Sequence, residues 1–265
     1  MDENIKDLFN NFKNISKKRW IEGVGKGHGN IGITFEKHLG KKIDFDYSPD
    51  FNGIEIKCCT RFSKFPLTLF SLAFDGPTDK EIIRINQLYG ENDKQFNDKK
   101  ILIKTLKYNQ LSKLDSGYFL GIDYNENDNR LYLCVYNENK ELIDKESYIL
   151  IETMKEHLLK KLRKLAIIKA SKKKDNDKEY FRYYELNYYE MKSFDTFLKL
   201  LISGNIQICI TSRFSRSGIN QGKYYNKNLV FQIKKSDIEK LFTKKYSYNS
   251  DEKKKECKDF IFLTI

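Results

Sequence analysis

Proline is scarce, at three residues in 265, and there is a single tryptophan. Three prolines exclude a proline-rich linker or a PPII spacer. There are only three histidines (His28, His38, His157), which argues against a histidine-based metal centre. Five cysteines (Cys58, Cys59, Cys134, Cys209, Cys257) are scattered, and the adjacent pair is not a C-x2-C ligand spacing, so they read as reduced thiols acting as small apolar residues. No run of about 20 apolar residues and no signal-peptide pattern is present. The reading is a soluble, cytoplasmic bacterial or archaeal protein with no membrane partner. The wealth of Lys, Asn, Ile and Tyr carries no function by itself.

Positive charge is abundant. The chain carries 49 Lys and Arg against 37 Asp and Glu, a formal net charge of +12. It is concentrated: residues 155–174 hold nine basic residues and one acid, and residues 207–240 hold seven basic and two acidic. The remainder is close to neutral. Such concentration suits a surface that meets a polyanion, because neutralising phosphates releases counterions. The Lys172-Lys173-Lys174 triplet alone reads better as a solvated loop.

The most informative stretch is Ser48-Pro49-Asp50-Phe51-Asn52-Gly53-Ile54-Glu55-Ile56-Lys57-Cys58-Cys59. Pro49 and Asn52-Gly53 are turn residues, and Ile54 and Ile56 alternate as in a strand. Alternation turns the isoleucines into a core and puts Glu55 and Lys57 together on the opposite face. Asp50 can bring a second carboxylate to the same place. Two carboxylates at a strand end make a hard oxygen site suited to magnesium, and a neighbouring lysine can hold water or stabilise charge on a phosphate. The same letters also fit a solvated ion pair on a surface strand.

Around this core, Ile5, Leu8, Phe9, Phe12 and Ile15 repeat at helical spacing behind Asp2, a candidate N-cap. Gly23 to Gly32 holds five glycines in ten residues. Its Gly27-x-Gly29-x-x-Gly32 lacks the preceding strand that a dinucleotide fingerprint needs. A glycine loop bearing Lys26 and His28 against a DNA backbone fits better. Ile33 to Leu39 reads as a short helix carrying Glu36. Strands are expected at 67–74, 101–107, 118–124, 130–136, 165–170, 205–211 and 229–233. Helices are expected at 79–89, 153–163 and 191–202. The aromatics of Tyr180 to Tyr189 have strand spacing and read as packing a sheet face rather than stacking on bases. Residues 212–228 form a polar excursion with Arg213 and Arg216, Lys223, Tyr225, Asn226, Lys227 and Asn228. Arginine can read guanine, and asparagine adenine, from the major groove.

The run Gly25-Lys26-Gly27-His28-Gly29-Asn30-Ile31-Gly32-Ile33-Thr34-Phe35-Glu36, followed by Pro49-Asp50 through Glu55-Ile56-Lys57, resembles the MvaI/BcnI-type restriction endonucleases. These are relatives of the mismatch-repair nickase MutH within the PD-(D/E)xK superfamily. The resemblance extends through Leu67-Thr68-Leu69-Phe70, residues 160–168 and Gly204-Asn205-Ile206. It implies an α/β fold with a mixed PD-(D/E)xK sheet and a second DNA-recognition lobe forming a cleft. The expected division is a catalytic lobe over 1–110 and the remaining core strands plus recognition lobe over 111–265, intimately joined. It further implies that Asp50 and Glu55 bind Mg2+, that Lys57 positions or activates water, and that Glu36 assists. A lysine near the junction at residue 163 joins such sites, and Lys161 is the candidate. The 212–228 excursion resembles the family's recognition loop, although members carry histidines where Tyr224-Tyr225-Asn226-Lys227-Asn228 stands here. The implied activity is type II cleavage of double-stranded DNA at a short pseudosymmetric site, by a monomer accompanied by a cognate DNA methyltransferase. The alternatives are a MutH-like strand-specific nickase and a non-catalytic DNA-binding protein.

Overall fold

The structure is a computed structural model that describes residues 1–27, 29–40, 48–61, 63–225 and 228–251, the Tyr225 side chain excepted. In chain order it runs α1 (Glu3–Lys17), β1 (Ile21–Glu22), α2 (Asn30–His38), β2 (Glu55–Thr60), β3 (Leu67–Leu72) and α3 (Glu81–Tyr89). There follow β4 (Glu91–Asn92), β5 (Lys100–Leu106), β6 (Ser112–Lys113), β7 (Phe119–Asn125), β8 (Arg130–Tyr136), β9 (Leu142–Asp144) and β10 (Tyr148–Leu150). The last part comprises α4 (Ile151–Leu162), β11 (Lys164–Asp175), β12 (Lys178–Met191), α5 (Phe194–Ile202), β13 (Ile206–Phe214), β14 (Tyr224–Tyr225), β15 (Leu229–Ile233), α6 (Ile238–Leu241) and β16 (Phe242–Asn249). Among these residues no helix is long and apolar enough to cross a membrane.

The chain divides into two units that interleave. One is residues 1–64, 160–192 and 242–265; the other is 65–159 and 193–241. The boundary expected at 110 falls inside the second unit, because that unit's sheet pairs β5 with β13 and so recruits strands from both sides of it.

In the first unit the sheet order is β1-β12-β11-β2, with β16 also on β12. The catalytic-candidate strand β2 lies parallel to β11, with Glu55 opposite Leu165 and Lys57 opposite Ile167. Parallel neighbours need a long crossover, and here about a hundred residues intervene. Helix α1 forms as its spacing implies: Asp2 accepts from the Asn4 amide at 3.2 Å, and Ile5, Leu8, Phe9, Phe12 and Ile15 are buried. That stripe meets Phe35, Ile54, Ile56, Ala166, Ile168, Phe181, Tyr183 and Tyr188 in one core. Each such side chain contributes roughly 1.5–3 kcal/mol by leaving water. Phe181, Tyr183, Tyr184, Tyr188 and Tyr189 are buried, so the aromatic run packs.

Three boundaries differ from expectation in this unit. Strand β11 runs on to Asp175, past the expected end at 170, because Lys172, Lys173 and Lys174 pair with Phe181, Tyr180 and Glu179 of β12, so the lysine triplet read as a solvated loop is strand. Helix α2 begins at Asn30, not Ile33, because the buried Asn30 side chain holds the preceding glycine loop. Met191 ends strand β12 opposite Phe242 instead of opening a helix. Helix α5 starts only after Ser193, whose hydroxyl accepts from the Thr196 amide at 3.0 Å.

The second unit has a sheet ordered β3-β15-β13-β5-β4, with β14 on β13, and another ordered β10-β8-β7-β6, with β9 on β8. Phe70 stacks on Phe231 at 4.5 Å, and Phe197 packs on both. A buried polar knot ties α3 to the β9–β10 connection. Arg84 bonds Glu81 at 2.6 Å and Asp144 at 2.7 Å, and Ser147 donates to Glu81 at 2.6 Å. Strand β13 runs to Phe214, beyond the expected end at 211, because Arg213 and Phe214 pair with Tyr225 and Tyr224.

Candidate active site and the 212–228 excursion

Asp50 and Glu55 are brought together by local geometry. Asn52 (φ +45°) and Gly53 (φ +79°) occupy the left-handed region, and Phe51 and Ile54 bond one another through both backbone groups at 2.8 and 3.0 Å. Two central residues with positive φ are what an Asn-Gly hairpin turn provides. The turn folds Asp50 back alongside β2, where its Oδ2 accepts from the Ile56 amide at 2.9 Å. The four-residue spacing between the carboxylates is thus spanned by one tight turn.

On β2, Ile54 and Ile56 enter the core and Glu55 with Lys57 faces the other way, as alternation requires. Glu55 is not on a solvated surface: it is only 1% exposed. Its Oε1 accepts from Lys57 Nζ at 2.5 Å, and Lys161 Nζ lies 3.7 Å from the same oxygen. Burial pushes the Glu55 carboxyl above its usual range; Lys57 and Lys161 oppose that, and the nearby Asp50 charge adds to it. The other oxygen, Oε2, is buried with no hydrogen-bond partner among the described residues. A buried carboxylate oxygen left unsatisfied beside a second carboxylate fits a divalent cation, whose charge reverses the balance that raises Glu55. Among the described residues no group of three or more His, Cys, Asp or Glu could hold a metal. The Asp50–Glu55 pair is the donor set that magnesium uses with water and phosphate completing its shell.

Glu36 sits half-buried near the C-terminal end of α2. Its charge and that of Asp50 both reach Cys58, whose thiol burial first and these carboxylates next push well up. Lys161, in the last turn of α4, is at the Glu55 carboxylate. Lys26 is exposed on the glycine loop, where Gly27 has φ +81°. His28 lies outside the described residues. Cys58, Cys59, Cys134 and Cys209 are outside disulfides, and Cys257 also falls outside the described residues.

In the second unit, Arg213 is exposed on the β13 edge of the 212–228 excursion. Arg216 is differently placed: its Nη1 donates to Asp93 Oδ1 at 2.6 Å, and Asp93 is 1% exposed. Asp93 also accepts from the Gln95 and Phe96 amides at 2.7 and 3.1 Å. Hydrogen bonding from Arg216 holds its carboxyl below the ordinary value against the effect of burial. Lys99 donates to Gly222 O at 2.8 Å and lies over the rings of Phe96 and Phe214. Asp93, Phe96 and Lys99 therefore fasten the stem of the excursion; nothing in their local sequence marks them for it. Lys223 is exposed and Asn228 half-buried. The Tyr225 side chain, Asn226 and Lys227 lie outside the described residues. Each lysine of the 172–174 triplet has a partner: Lys172 pairs with Glu179, Lys173 lies over Trp20 and Tyr180, and Lys174 pairs with Asp177.

The model of the MvaI/BcnI restriction endonuclease family matches residues 9–242. Among solved structures, restriction endonuclease MvaI with its cognate DNA substrate superposes with a TM-score of 0.85 at 28% identity, covering 92% of this chain and 98% of that one. MvaI in the absence of DNA superposes with a TM-score of 0.58 at 27% identity over the same shares. No curated protein matches the sequence significantly. The family model runs through the Asp50–Lys57 turn and strand and the 212–228 excursion, and with the MvaI likeness over 92% of the chain it shows that the chain belongs to the MvaI/BcnI restriction endonuclease family, as a site-specific DNA endonuclease.

Proposed function

We propose that the protein is a magnesium-dependent type II restriction endonuclease that hydrolyses phosphodiester bonds of double-stranded DNA at a short pseudosymmetric site. It acts as a monomer, one strand at a time, in the cytoplasm of a bacterium or archaeon that also makes a cognate DNA methyltransferase. The observation that carries the reading is Glu55: buried, beside Asp50, bonded to Lys57 and near Lys161, with one oxygen unsatisfied.

Asp50 and Glu55 would hold Mg2+, which when bound supplies Lewis-acid stabilisation of charge on the scissile phosphate. Lys57 orients the attacking water and offsets charge in the transition state, and Lys161 adds a second ammonium for the same purpose. Glu36 helps to order the water from α2. Water oxygen bonds to phosphorus as the bond to the 3′ oxygen breaks, so the ends are 5′-phosphate and 3′-hydroxyl. The 3′ oxygen takes up a proton, and the water loses one. Lys26 and His28 on the glycine loop meet the backbone, and Arg213, Lys223, Tyr225, Asn226, Lys227 and Asn228 form the reading surface.

Incubating purified protein with supercoiled plasmid and unmethylated phage DNA, with and without Mg2+, and sequencing the ends tests this. Discrete magnesium-dependent fragments are expected. Nicked circles alone would point to a strand-specific nickase, and intact DNA with tight metal-free binding to a non-catalytic binder.

The two arginines of the excursion should separate. Arg213→Ala is expected to cost about 1–3 kcal/mol at one base pair and relax specificity there. Arg216→Ala releases the stem from Asp93, so it should weaken binding to all sequences alike. Competition binding against every single-base variant of the site distinguishes them. A uniform loss for Arg213→Ala would make it a phosphate contact.

A further inference from the structure

Asn30, at the first position of α2, is 1% exposed, and its side-chain amide is engaged on both sides. Nδ2 donates to Glu179 Oε2 at 2.7 Å. Oδ1 accepts from the Gly25 amide at 2.8 Å and from the Thr34 hydroxyl, one helical turn on, at 3.1 Å. The Thr34 hydroxyl in turn accepts from the Val24 amide at 3.1 Å, and the Gly23 amide donates to Glu179 O at 2.7 Å. Three consecutive loop amides are therefore held by one buried network. The fit is close: a Cβ at Gly23 would lie 2.5 Å from Asn30 Nδ2. The remaining Glu179 oxygen takes the Lys172 ammonium, which anchors the network to the β11–β12 hairpin.

We propose that Asn30 and Glu179 are a positioning pair for DNA cleavage, fixing the glycine loop that presents Lys26 to the DNA backbone and the start of the helix that carries Glu36. The proposal rests on the reading of Glu36, Asp50, Glu55 and Lys57 as the nuclease centre. Neither residue of the pair need touch DNA. Asn30 is the hinge point between two functional segments: the loop lies on its N-terminal side and Glu36 under two turns along the helix on the other. A shift of either segment displaces a group from the phosphate, and displacements of about 1 Å can cost on the order of a hundredfold in rate.

The test exchanges donor and acceptor. Asn30→Asp sets a carboxylate against Glu179, removing the donor while leaving an acceptor for the Gly25 amide. It should slow single-turnover cleavage at saturating DNA by about tenfold or more and speed hydrogen exchange at the Val24 and Gly25 amides. N30D/E179Q restores the bond with its polarity reversed, so it should recover both readouts, the rate to within about threefold of wild type. A merely structural role predicts loss in both variants without recovery. Should Asn30→Asp fail to fold, Glu179→Ala, at a partly exposed site, is expected to show the same slowing and faster exchange. Unchanged cleavage and exchange in the single variants, or no recovery in the exchange variant, overturns the proposal. If the wild-type protein cuts no DNA with any divalent metal, the nuclease reading fails, and the amide exchange still decides whether the pair positions the loop.

Discussion

Lys57→Ala is expected to lower DNA cleavage by at least about 10²–10⁴-fold while leaving specific binding near the wild-type level. The ammonium sits 2.5 Å from Glu55 Oε1 on the face of β2 that alternation turns away from the core, and it is 24% exposed, so solvent and substrate reach it. Its loss leaves Glu55 with only Lys161, at 3.7 Å, against the burial that already raises it. Single-turnover cleavage and equilibrium binding, measured side by side with thermal melting, separate chemistry from folding. Cutting at the wild-type rate would remove Lys57 from the mechanism and leave Lys161 as the lysine that acts.

Arg84→Ala should destabilise the second unit by about 3 kcal/mol, because it takes the one guanidinium that bonds both buried carboxylates and leaves them only neutral hydrogen-bond donors. Arg84 bonds Glu81 and Asp144, whose side chains are 2% and 5% exposed. Burial pushes both carboxyls up, and the hydrogen bonds from Ser147, Arg84 and Thr78 to Glu81, and chiefly from Arg84 to Asp144, outweigh it, so both are held below their ordinary values. A lowered native value gives stability that is present above the unfolded values of about 3.9 and 4.3 and lost as pH falls through the native ones. Without Arg84, part of what opposes burial is lost and the two values rise. The stability gap between wild type and variant should therefore be widest near pH 7 and narrow towards about pH 3. Urea titrations at the two pH values check this, and a gap independent of pH would show that the carboxylates are not what Arg84 stabilises.

What the sequence discloses is what is encoded locally. Asp50, Glu55 and Lys57 are legible because one Asn-Gly turn and two alternating isoleucines, all within eight residues, determine where they point. The α1 stripe is legible for the same reason. Lys161 is different: the family resemblance asks only for a lysine near this junction, nothing local distinguishes Lys161 from its basic neighbours, and it is the 3.7 Å approach to Glu55 that sets it apart. Arg216 reads as a free base-contacting residue until Asp93, 123 positions earlier, is seen to hold it. Asn30 and Glu179 are 149 positions apart, so the network that starts α2 early has no local signature. Strand β13 hides its last residues because Ser212-Arg213 looks like loop sequence, and only pairing with β14 extends it. The interleaving of the units is invisible for lack of any linker composition at the crossings.

That interleaving has a consequence in time. The strand bearing Glu55 and Lys57 leaves the ribosome long before β11, its partner at residues 164–175, and the sheet is completed only by β16 at 242–249. Contacts so distant in sequence form late, after the loop-closure entropy has been met. A nascent chain therefore carries Glu55 and Lys57 of β2 without the sheet that holds them in register.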